Sequence, residues 1–420
     1  MKPYLPLFYG KKEMAIIGFV LAFVFVCNII LNYIDFKEFK SHSWATIRGE
    51  IANIIPLTAK DGRAYKRLYV KSDSGHTLSI AFWAKDEVRV DARVGFRVKT
   101  EDVKFKSFLS RKFFAPSVLV WHKPKTKDSV KNKIDNFIQN QHDTNIMKEL
   151  YSTLYLATPI SKELRDKVQR FGIAHIIAIS GYHLGIIFAF LYAILIPIYR
   201  FFQNRYFPYR NSRWDISIII FAILGYYLWL IDMTPSFLRS YVMGVFGFLF
   251  LWCGINVLSF EMLALTTLFL IALFPYLAFN IGFILSVFGV FYIFVFIKHF
   301  STLKVWQTLL LLNLWLFVVM SPIVYYWFGV INIQQWISIP LSILFVIFYP
   351  LATFLHTINQ GGILDEYLIK FLNYETNSAI FNTPFWLLCV YVVLSLLSAY
   401  KKIFMLSIFF IGICYFFLLL

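Results

Sequence analysis

Acidic residues and cysteines are scarce in this sequence. Of its 420 residues, 23 are Asp or Glu and 40 are Lys or Arg, so the formal net charge is +17. The four cysteines, Cys27, Cys253, Cys389 and Cys414, lie inside apolar segments and form no C-x-x-C pair. This spacing argues against a disulfide framework and a zinc site, and we predict no bound metal. The positive balance predicts an anionic partner, either lipid head groups or nucleic acid.

Long apolar runs are abundant. The chain is 59% hydrophobic, whereas soluble domains are about 45–50% apolar. The excess lies in blocks of roughly 17–25 residues, long enough to cross a hydrocarbon core as helices. The sequence therefore predicts a polytopic α-helical membrane protein. We expect spans near 14–34, 172–198, 214–231, 236–253, 258–275, 281–297, 305–325, 333–356, 384–399 and 403–420.

Residues 36–123 have a different pattern, with short alternating runs separated by turn signals. Five strands are predicted, at 43–55, 64–71, 76–84, 94–103 and 113–122. Five short strands are typical of a small barrel, and an OB-fold-like domain is the leading prediction. Residues 36–150 contain 23 Lys or Arg against 13 Asp or Glu.

Such a basic barrel with exposed aromatics is typical of single-strand binding by stacking and charge. The candidate contacts are Arg63, Tyr65, Arg67 and Trp83, with Tyr69 as a further aromatic. The alternative is that these aromatics fill the barrel interior, and the pattern leaves both interpretations open.

Four regions are predicted: an uncleaved anchor over 1–35, the β domain over 36–123, a helical connector over 124–170 and the polytopic region over 171–420. The lysines before the first span place the amino terminus in the cytoplasm and the β domain outside. The positive-inside count becomes inconsistent after Lys304. A re-entrant segment would explain this, and Pro340 and Pro350 make the 333–356 segment the suspect.

Several polar residues interrupt the apolar blocks. In a continuous helix, Ser180 and His183 would share one face, and Gly181 and Gly185 would form a small-xxx-small pair. Alternatively, the glycines break the helix, and the freed backbone must line an enclosed cavity. This segment therefore predicts either part of a conduit or helix packing with a buried His–Ser hydrogen bond.

A second and a third segment repeat the pattern. Ser236 and Arg239 share an arc in one span, and Ser286 lies on a glycine-containing face of another. An arginine in a span usually faces a cavity or a partner. Snorkelling to the interface and pairing with Asp232 are the alternatives. Together the three segments predict a polar route for an anion, with Arg239 as the electrostatic attractor.

The order of these motifs resembles the ComEC competence-protein family, the inner-membrane channels of natural transformation. "FGIAHIIAISGYHLGII" is similar to the family's H-L-L-A-I-S-G-L-H-V-G signature, and "TPSFLRSYVMG" to its P-P-S-x-x-R-A-x-x-M element. "FNIGFILSVFGVFYIF" resembles the G-F-Q-L-S-F segment, and "SPIVYYWFG" the stretch that follows. Tyr182, Thr234 and Ile284 depart from these patterns.

The resemblance implies transport of single-stranded DNA through an inner-membrane channel, with the β domain in the periplasm. Many relatives add a metallo-β-lactamase-like domain, and this chain resembles the short form without its H-x-H-x-D-H motif. We accordingly expect no enzyme activity and no cofactor. No G-x-x-x-x-G-K-[ST] loop occurs. The implied partners are therefore DNA, membrane lipid, a periplasmic DNA receptor, and a separate cytoplasmic motor or strand-binding protein, with homo-oligomerisation left open.

Two other functions remain. A secondary transporter of a small anionic solute would use the same Arg239 near the midplane, but the basic β domain has no evident use there. An intramembrane hydrolase would use Ser180 as nucleophile and His183 as base, yet no orienting carboxylate is visible.

Overall fold

The computed structural model describes residues 7–8, 10–58, 64–83, 92–123, 130–255, 257, 259–374 and 379–417. The chain is mostly helical and has a β-sheet domain near its amino terminus. It divides into two compact units. One contains Phe8–Lys133 with Leu268–Asn280, and the other contains Ile134–Thr267 with Ile281–Leu420.

The first unit begins with a long apolar helix, α1 (Lys11–Lys40), and continues into a six-stranded sheet. The strands lie in the order β5-β3-β2-β1-β4-β6. Their bounds are β1 (Trp44–Thr58), β2 (Ala64–Ser72), β3 (Thr77–Phe82), β4 (Arg93–Lys99), β5 (Lys112–Phe114) and β6 (Ser117–Lys123), with α2 (Phe105–Leu109) before β5.

The last two strands, β5 and β6, pair with the two edge strands of the four-stranded sheet β3-β2-β1-β4. β5 pairs in parallel with β3, whereas β6 pairs antiparallel with β4. Only Ala115 and Pro116 separate them, so they correspond to the single fifth strand that the sequence predicts. Because this bent strand contacts both edges, the connectivity fits a closed OB-type barrel.

Aliphatic side chains from alternate positions fill the interior of the sheet. Leu68, Val70, Leu78, Ile80 and Val94 are each 0–1% exposed. A fully buried side chain of this size contributes about 1.5–3 kcal/mol. The residues between them point outward because side chains alternate along a strand. The interpretation that Tyr65, Tyr69 and Trp83 fill the barrel is therefore wrong, since Tyr65 and Tyr69 are only partly buried and Trp83 is exposed.

The rest of the chain is helical. Its amino-terminal part contains α3 (Val130–Gln139), α4 (Asn145–Leu156), α5 (Lys162–Arg170) and the short α6 (Ala174–Ile177). Then follow α7 (Gly181–Tyr206), α8 (Ser212–Leu230), α9 (Pro235–Trp252), α10 (Phe260–Leu273), α11 (Ile281–His299), α12 (Val305–Phe328), α13 (Ser338–Thr357), α14 (Asp365–Leu372), α15 (Phe385–Ser398) and α16 (Lys402–Phe417). A two-residue pair of strands, β7 (Val330–Ile331) and β8 (Ala379–Ile380), lies among them.

Within the described part of the chain, seven helices are long and apolar enough to cross a membrane. These helices make the chain a multi-pass membrane protein; they are Lys11–Lys40, Gly181–Tyr206, Ser212–Leu230, Pro235–Trp252, Ile281–His299, Val305–Phe328 and Ile333–Thr357. Ten spans were expected, but α10, α15 and α16 have 14, 14 and 16 residues. At about 1.5 Å per residue they are shorter than a ~30 Å core. The segment suspected from Pro340 and Pro350 forms the 20-residue helix α13, and its course relative to the membrane stays a prediction.

Candidate functional site

The polar stretch before α7 is a helix break rather than the middle of a span. α6 ends at Ile177, and Ser180 has an extended backbone with φ −140° and ψ −179°. Ser180 is the residue that caps α7, since its hydroxyl accepts a hydrogen bond from the Tyr182 amide at 3.3 Å. Serine is favoured at this position because its oxygen satisfies an amide that has no partner within the helix. The sequence left a continuous helix and a broken one as alternatives, and the structure shows the broken one, so a span that begins near residue 172 as one helix is wrong.

His183 completes the cap from inside the helix. Its Nδ1 accepts the Ser180 amide proton at 3.3 Å, so the neutral ring carries its own proton on Nε2. That Nε2 is buried and has no hydrogen-bond partner among the described residues, and His183 is 0% exposed. The ring lies edge-on to Phe345 and Tyr349 of α13, at 5.1 Å from each ring centroid. An unpaired buried donor costs about 1–3 kcal/mol.

A hydrogen-bonded cluster joins α9 to α11 around Arg239. The guanidinium donates from Nε to the Ser286 hydroxyl at 3.0 Å and from Nη2 to the Ser240 hydroxyl at 2.9 Å. Ser236 donates to the same Ser286 oxygen at 3.0 Å. The remaining contact joins Nη1 to the sulfur of Met243 at 3.6 Å. The structure thus brings together Ser236, Arg239 and Ser286, which the sequence predicts only as separate faces.

Arg239 does not snorkel, because only 3% of the residue is exposed. Its hydrogen bonds go to hydroxyl groups and a thioether, and the Asp232 partner offered by the sequence is not among them. Removing an ion from water costs several kcal/mol. Hydrogen bonds to neutral partners offset that cost less than hydrogen bonds to a carboxylate do. Within the part of the chain that the structure describes, Arg239 is therefore a buried cation whose hydrogen bonds go to neutral partners.

The start of α7 closely approaches this cluster. A Cβ atom added at Gly181 would lie 2.3 Å from the Ser240 hydroxyl oxygen and 3.6 Å from Arg239 Nη2. Glycine is therefore required at this contact between α7 and α9. Among the described residues, no atom outside the backbone of α7 lies within 4 Å of the Gly185 Cβ position, so Gly181 but not Gly185 of the expected small-xxx-small pair is at a close contact there.

The candidate membrane residues are not in the lining of two cavities found in the described part of the chain. Two cavities of about 430 and 360 Å³ are lined by other side chains. The larger has Phe171 and Lys370 in its lining, and the smaller has Phe221 and Met243. Ser180, His183, Arg239 and Ser286 line neither cavity. Their assignment to a transport path stays a prediction.

The β domain presents an aromatic and basic patch on the outer surface of β2 and β3. The rings of Tyr65 and Trp83 stack with centroids 4.8 Å apart and planes 23° apart. Arg67 donates to the Tyr65 hydroxyl at 3.1 Å, and 52% of Trp83 is exposed. Three of the four residues predicted from the sequence thus lie together. Arg63 lies outside the described residues.

A histidine–carboxylate cluster in the helical unit was not predicted. His142 Nδ1 lies 2.9 Å from the Asp365 carboxylate, and its Nε2 lies 3.1 Å from His356 Nε2. His356 Nδ1 lies 2.7 Å from the Ala352 carbonyl oxygen, so this nitrogen carries a proton and the His356 Nε2 is an acceptor. It follows that the proton between the two imidazoles belongs to His142 and that a further proton is shared between His142 and Asp365.

This cluster joins the segment after α3 to α13 and to the start of α14. Burial raises the pKa of Asp365, while its bond to His142 acts in the opposite direction. Tyr151 stacks on His142 with centroids 4.4 Å apart. Among the described residues, no group of three or more His, Cys, Asp or Glu could hold a metal ion. More than 200 residues separate His142 from both partners, so no local motif signals the contact.

Comparisons with known proteins place these features in a family. A model described as competence protein matches residues 157–420. ComE operon protein 3 of Bacillus subtilis (strain 168) is 30% identical over 194 residues, which cover 45% of this chain and 23% of that protein. No solved structure matches the chain.

The family match includes the capped start of α7 and the arginine cluster. It covers more than half of the 420 residues and confirms the ComEC-type resemblance carried by the sequence motifs. The chain belongs to the competence protein family.

Proposed function

We propose that the chain acts in DNA uptake during natural competence and conducts a single strand across the cytoplasmic membrane. The observation that carries this proposal is Arg239, a buried guanidinium between two membrane-length helices that donates, among the described residues, to neutral groups. A phosphate oxygen would provide the missing negative charge. Hydrogen bonds between a guanidinium and a phosphate are roughly twice as strong as those between neutral groups.

Passage of a strand requires this cluster to open. The contacts that hold it are single hydrogen bonds to serine hydroxyls, each worth about 1.5–3 kcal/mol when the donor is charged. Phosphate oxygens can replace these hydroxyls as acceptors, so opening need not leave the guanidinium unpaired. We propose that α7 separates from α9 at Gly181 and Ser240, where the closest approach is between a glycine and a serine side chain.

The stacked aromatic patch of the β domain supports a polynucleotide rather than a small anion as the cargo. Tyr65, Trp83 and Arg67 combine an exposed ring with a neighbouring cation. Each base stacked on such a ring gains about 1–3 kcal/mol. A secondary transporter of a small anionic solute would use Arg239 but has no evident use for this patch.

The proposed arrangement places the chain in the bacterial inner membrane, with the amino terminus in the cytoplasm and the β domain in the periplasm. This orientation follows from Lys11 and Lys12 in the first turn of α1, since positive residues remain on the cytoplasmic side. A periplasmic receptor would deliver DNA, and a cytoplasmic motor or strand-binding protein would draw it in. We assign no catalytic role to the chain.

The test replaces Arg239→Met in a transformable host and follows labelled DNA into the cytoplasm. Methionine retains apolar volume but removes the charge, and Arg239→Lys serves as the matched control that retains it. We expect Arg239→Met to lower cytoplasmic entry at least about tenfold, the equivalent of one lost charge-assisted bond. The lysine variant should retain part of the activity. Normal entry in Arg239→Met cells, at normal protein level, would contradict the proposal.

A further inference from the structure

A second aromatic side chain lies flat on the outer surface of the β domain, away from the Tyr65–Trp83 stack. A Cβ atom added at Gly95 in β4 would lie 2.4 Å from Nε1 and 2.6 Å from Cε2 of Trp121. The indole of Trp121, in β6, therefore occupies the space that a side chain at position 95 would fill. Trp121 is half-buried, so one part of the ring contacts the sheet and another part faces outward.

Two exposed arginines lie on the same face of the sheet. Arg48 in β1 is directly opposite Gly95, and Arg97 lies two residues further along β4 on the same face. Both side chains are exposed, whereas the neighbouring Val94 and Phe96 point inward. Among the described residues, neither arginine forms a salt bridge with a carboxylate. The face thus combines a flat aromatic ring with two cations, as in surfaces that bind single strands.

A row of charged residues crosses β2, β1 and β4 beside this face. Glu50 in β1 is directly opposite Lys71 in β2 on one side and Arg93 in β4 on the other. Directly paired residues share one face of a sheet, so these three side chains lie in one outward row. Arg93 also pairs with Asp73 at 3.0 Å, with both side chains more than half exposed. Solvent-exposed pairs of this kind are weak, worth about 0–1 kcal/mol.

We infer that single-stranded DNA has a second contact on the same barrel. This contact is the outer face of β1, β4 and β6, with Trp121 at its centre and Arg48 and Arg97 beside it. The inference rests on the proposed function, and it extends the strand from the β2–β3 patch across β1.

The two patches are far enough apart to contact different nucleotides. They are separated by three strand-to-strand steps of about 4.8 Å from β2 to β6, in addition to a displacement along the strands. Site sizes of OB folds range from about 4 to 16 nucleotides. A short oligonucleotide therefore occupies one patch at a time, whereas a long one contacts both.

An aromatic ring over a glycine also stabilises a sheet as a cross-strand pair. The test must separate this effect from binding.

The chain is purified in full and placed in nanodiscs of neutral phosphatidylcholine, and oligothymidylates of 4 and 16 nucleotides are titrated at low salt. The variants are Trp121→Ala, the double change Arg48→Gln with Arg97→Gln, and Tyr65→Ala with Trp83→Ala. Lys104→Gln is the matched control, because Lys104 is exposed but lies outside the strands.

We expect the 16-mer to bind more tightly than the 4-mer to the unaltered chain. Trp121→Ala should weaken 16-mer binding roughly tenfold, since one stacked base is worth about 1–3 kcal/mol. The arginine double variant should weaken it to a similar extent, because it removes two positive charges beside the backbone of the strand. They should change 4-mer binding less, whereas the Tyr65 and Trp83 change weakens both oligonucleotides. Lys104→Gln should change neither by more than about twofold.

Several outcomes would overturn the inference. A Trp121→Ala chain with lower thermal stability but unchanged 16-mer binding assigns the ring a structural role only. The arginine double variant leaves the indole in place, and it must also bind the 16-mer more weakly than the unaltered chain does. A normal affinity of this variant for the 16-mer would count against the site. If phosphatidylglycerol in the discs removes the advantage of the 16-mer, the face binds lipid head groups instead. Failure of both oligonucleotides to bind the unaltered chain would contradict the proposed strand-binding function itself.

Discussion

The Nε atom of Arg239 in α9 donates to the Ser286 hydroxyl in α11 at 3.0 Å, across 47 residues of chain. This bond fastens two membrane-length helices through a buried cation and a neutral acceptor. Stability and transport make different demands on such a pair. Folding requires only that the guanidinium hydrogens find partners, whereas the proposed transport requires that those partners be replaceable.

Removing the acceptor should therefore harm stability more than removing the charge. Ser286→Ala leaves the Arg239 Nε–H without its partner, at a cost of about 1–3 kcal/mol or more in free energy of unfolding. Arg239→Met removes the charge together with its need for partners, and such replacements are often neutral or stabilising. Thermal unfolding in detergent should show a lower midpoint for Ser286→Ala than for Arg239→Met. A lower midpoint for Arg239→Met than for Ser286→Ala would indicate that the buried guanidinium, with its present hydrogen bonds, stabilises the fold.

The contact between Gly181 and Ser240 predicts a sharp difference between two glycines of one helix. Gly181→Ala places a methyl group 2.3 Å from the Ser240 oxygen, and overpacking of this kind costs about 1–3 kcal/mol. Gly185→Ala is the matched control, because nothing lies within 4 Å of its Cβ position. We expect lower thermal stability and lower DNA entry for Gly181→Ala only. Equal behaviour of the two variants would contradict the close approach of α7 to α9.

The cap formed by Ser180 predicts a moderate loss rather than a complete one. Ser180→Ala removes the acceptor of the Tyr182 amide, which costs about 0.5–2 kcal/mol. Ser180→Asp should retain the cap and most of the stability. A hydrolase with Ser180 as nucleophile would instead lose all activity with alanine. Counting transformants for both variants, at measured protein levels, distinguishes these outcomes.

His76 predicts that the β domain loses stability in acid. Burial, with a smaller effect from Arg111, lowers the pKa of His76 from 6.5 to about 4. Because the folded domain binds this proton less well than the unfolded chain, its contribution to stability is present above pH 6.5 and is lost as the pH falls towards 4. His76→Phe removes the titrating group but keeps a ring beside Phe108. Hydrogen exchange of residues 64–83, corrected for intrinsic rates, should be faster at pH 5 than at pH 7 in the unaltered chain. The increase should be smaller in His76→Phe.

The bond between His142 and Asp365 predicts that an amide can replace the carboxylate. Asp365→Asn can donate to His142 Nδ1 and leaves the imidazole neutral, whereas Asp365→Ala leaves this buried nitrogen unpaired. We expect a loss of about 1–3 kcal/mol for alanine and a smaller one for asparagine. Thermal unfolding of both variants at pH 7 provides the comparison. An equal loss would show that the carboxylate charge, rather than the hydrogen bond, is what matters.

Much of the architecture follows from local patterns. The apolar blocks that predict α7, α8, α9, α11 and α12 are visible in sequence because each helix must be apolar over most of its length to cross lipid. The strands of the β domain are equally visible through alternation, but only the structure shows that Tyr65, Arg67 and Trp83 lie on the outer surface rather than in the barrel. These signals extend over fewer than thirty neighbouring residues, so no tertiary contact is needed to read them.

Other features depended on contacts between distant parts of the chain. Ser180 lies before α7 rather than inside it, although a continuous apolar run equally allows a longer helix. Arg239 meets Ser286 across 47 residues, and His142 meets Asp365 across 223. The sequence by itself determined which segments suit lipid and which suit a sheet, because those preferences arise within each element. Only the tertiary structure decided which polar groups meet, because hydrogen bonds act over about 3 Å and depend on how the helices pack.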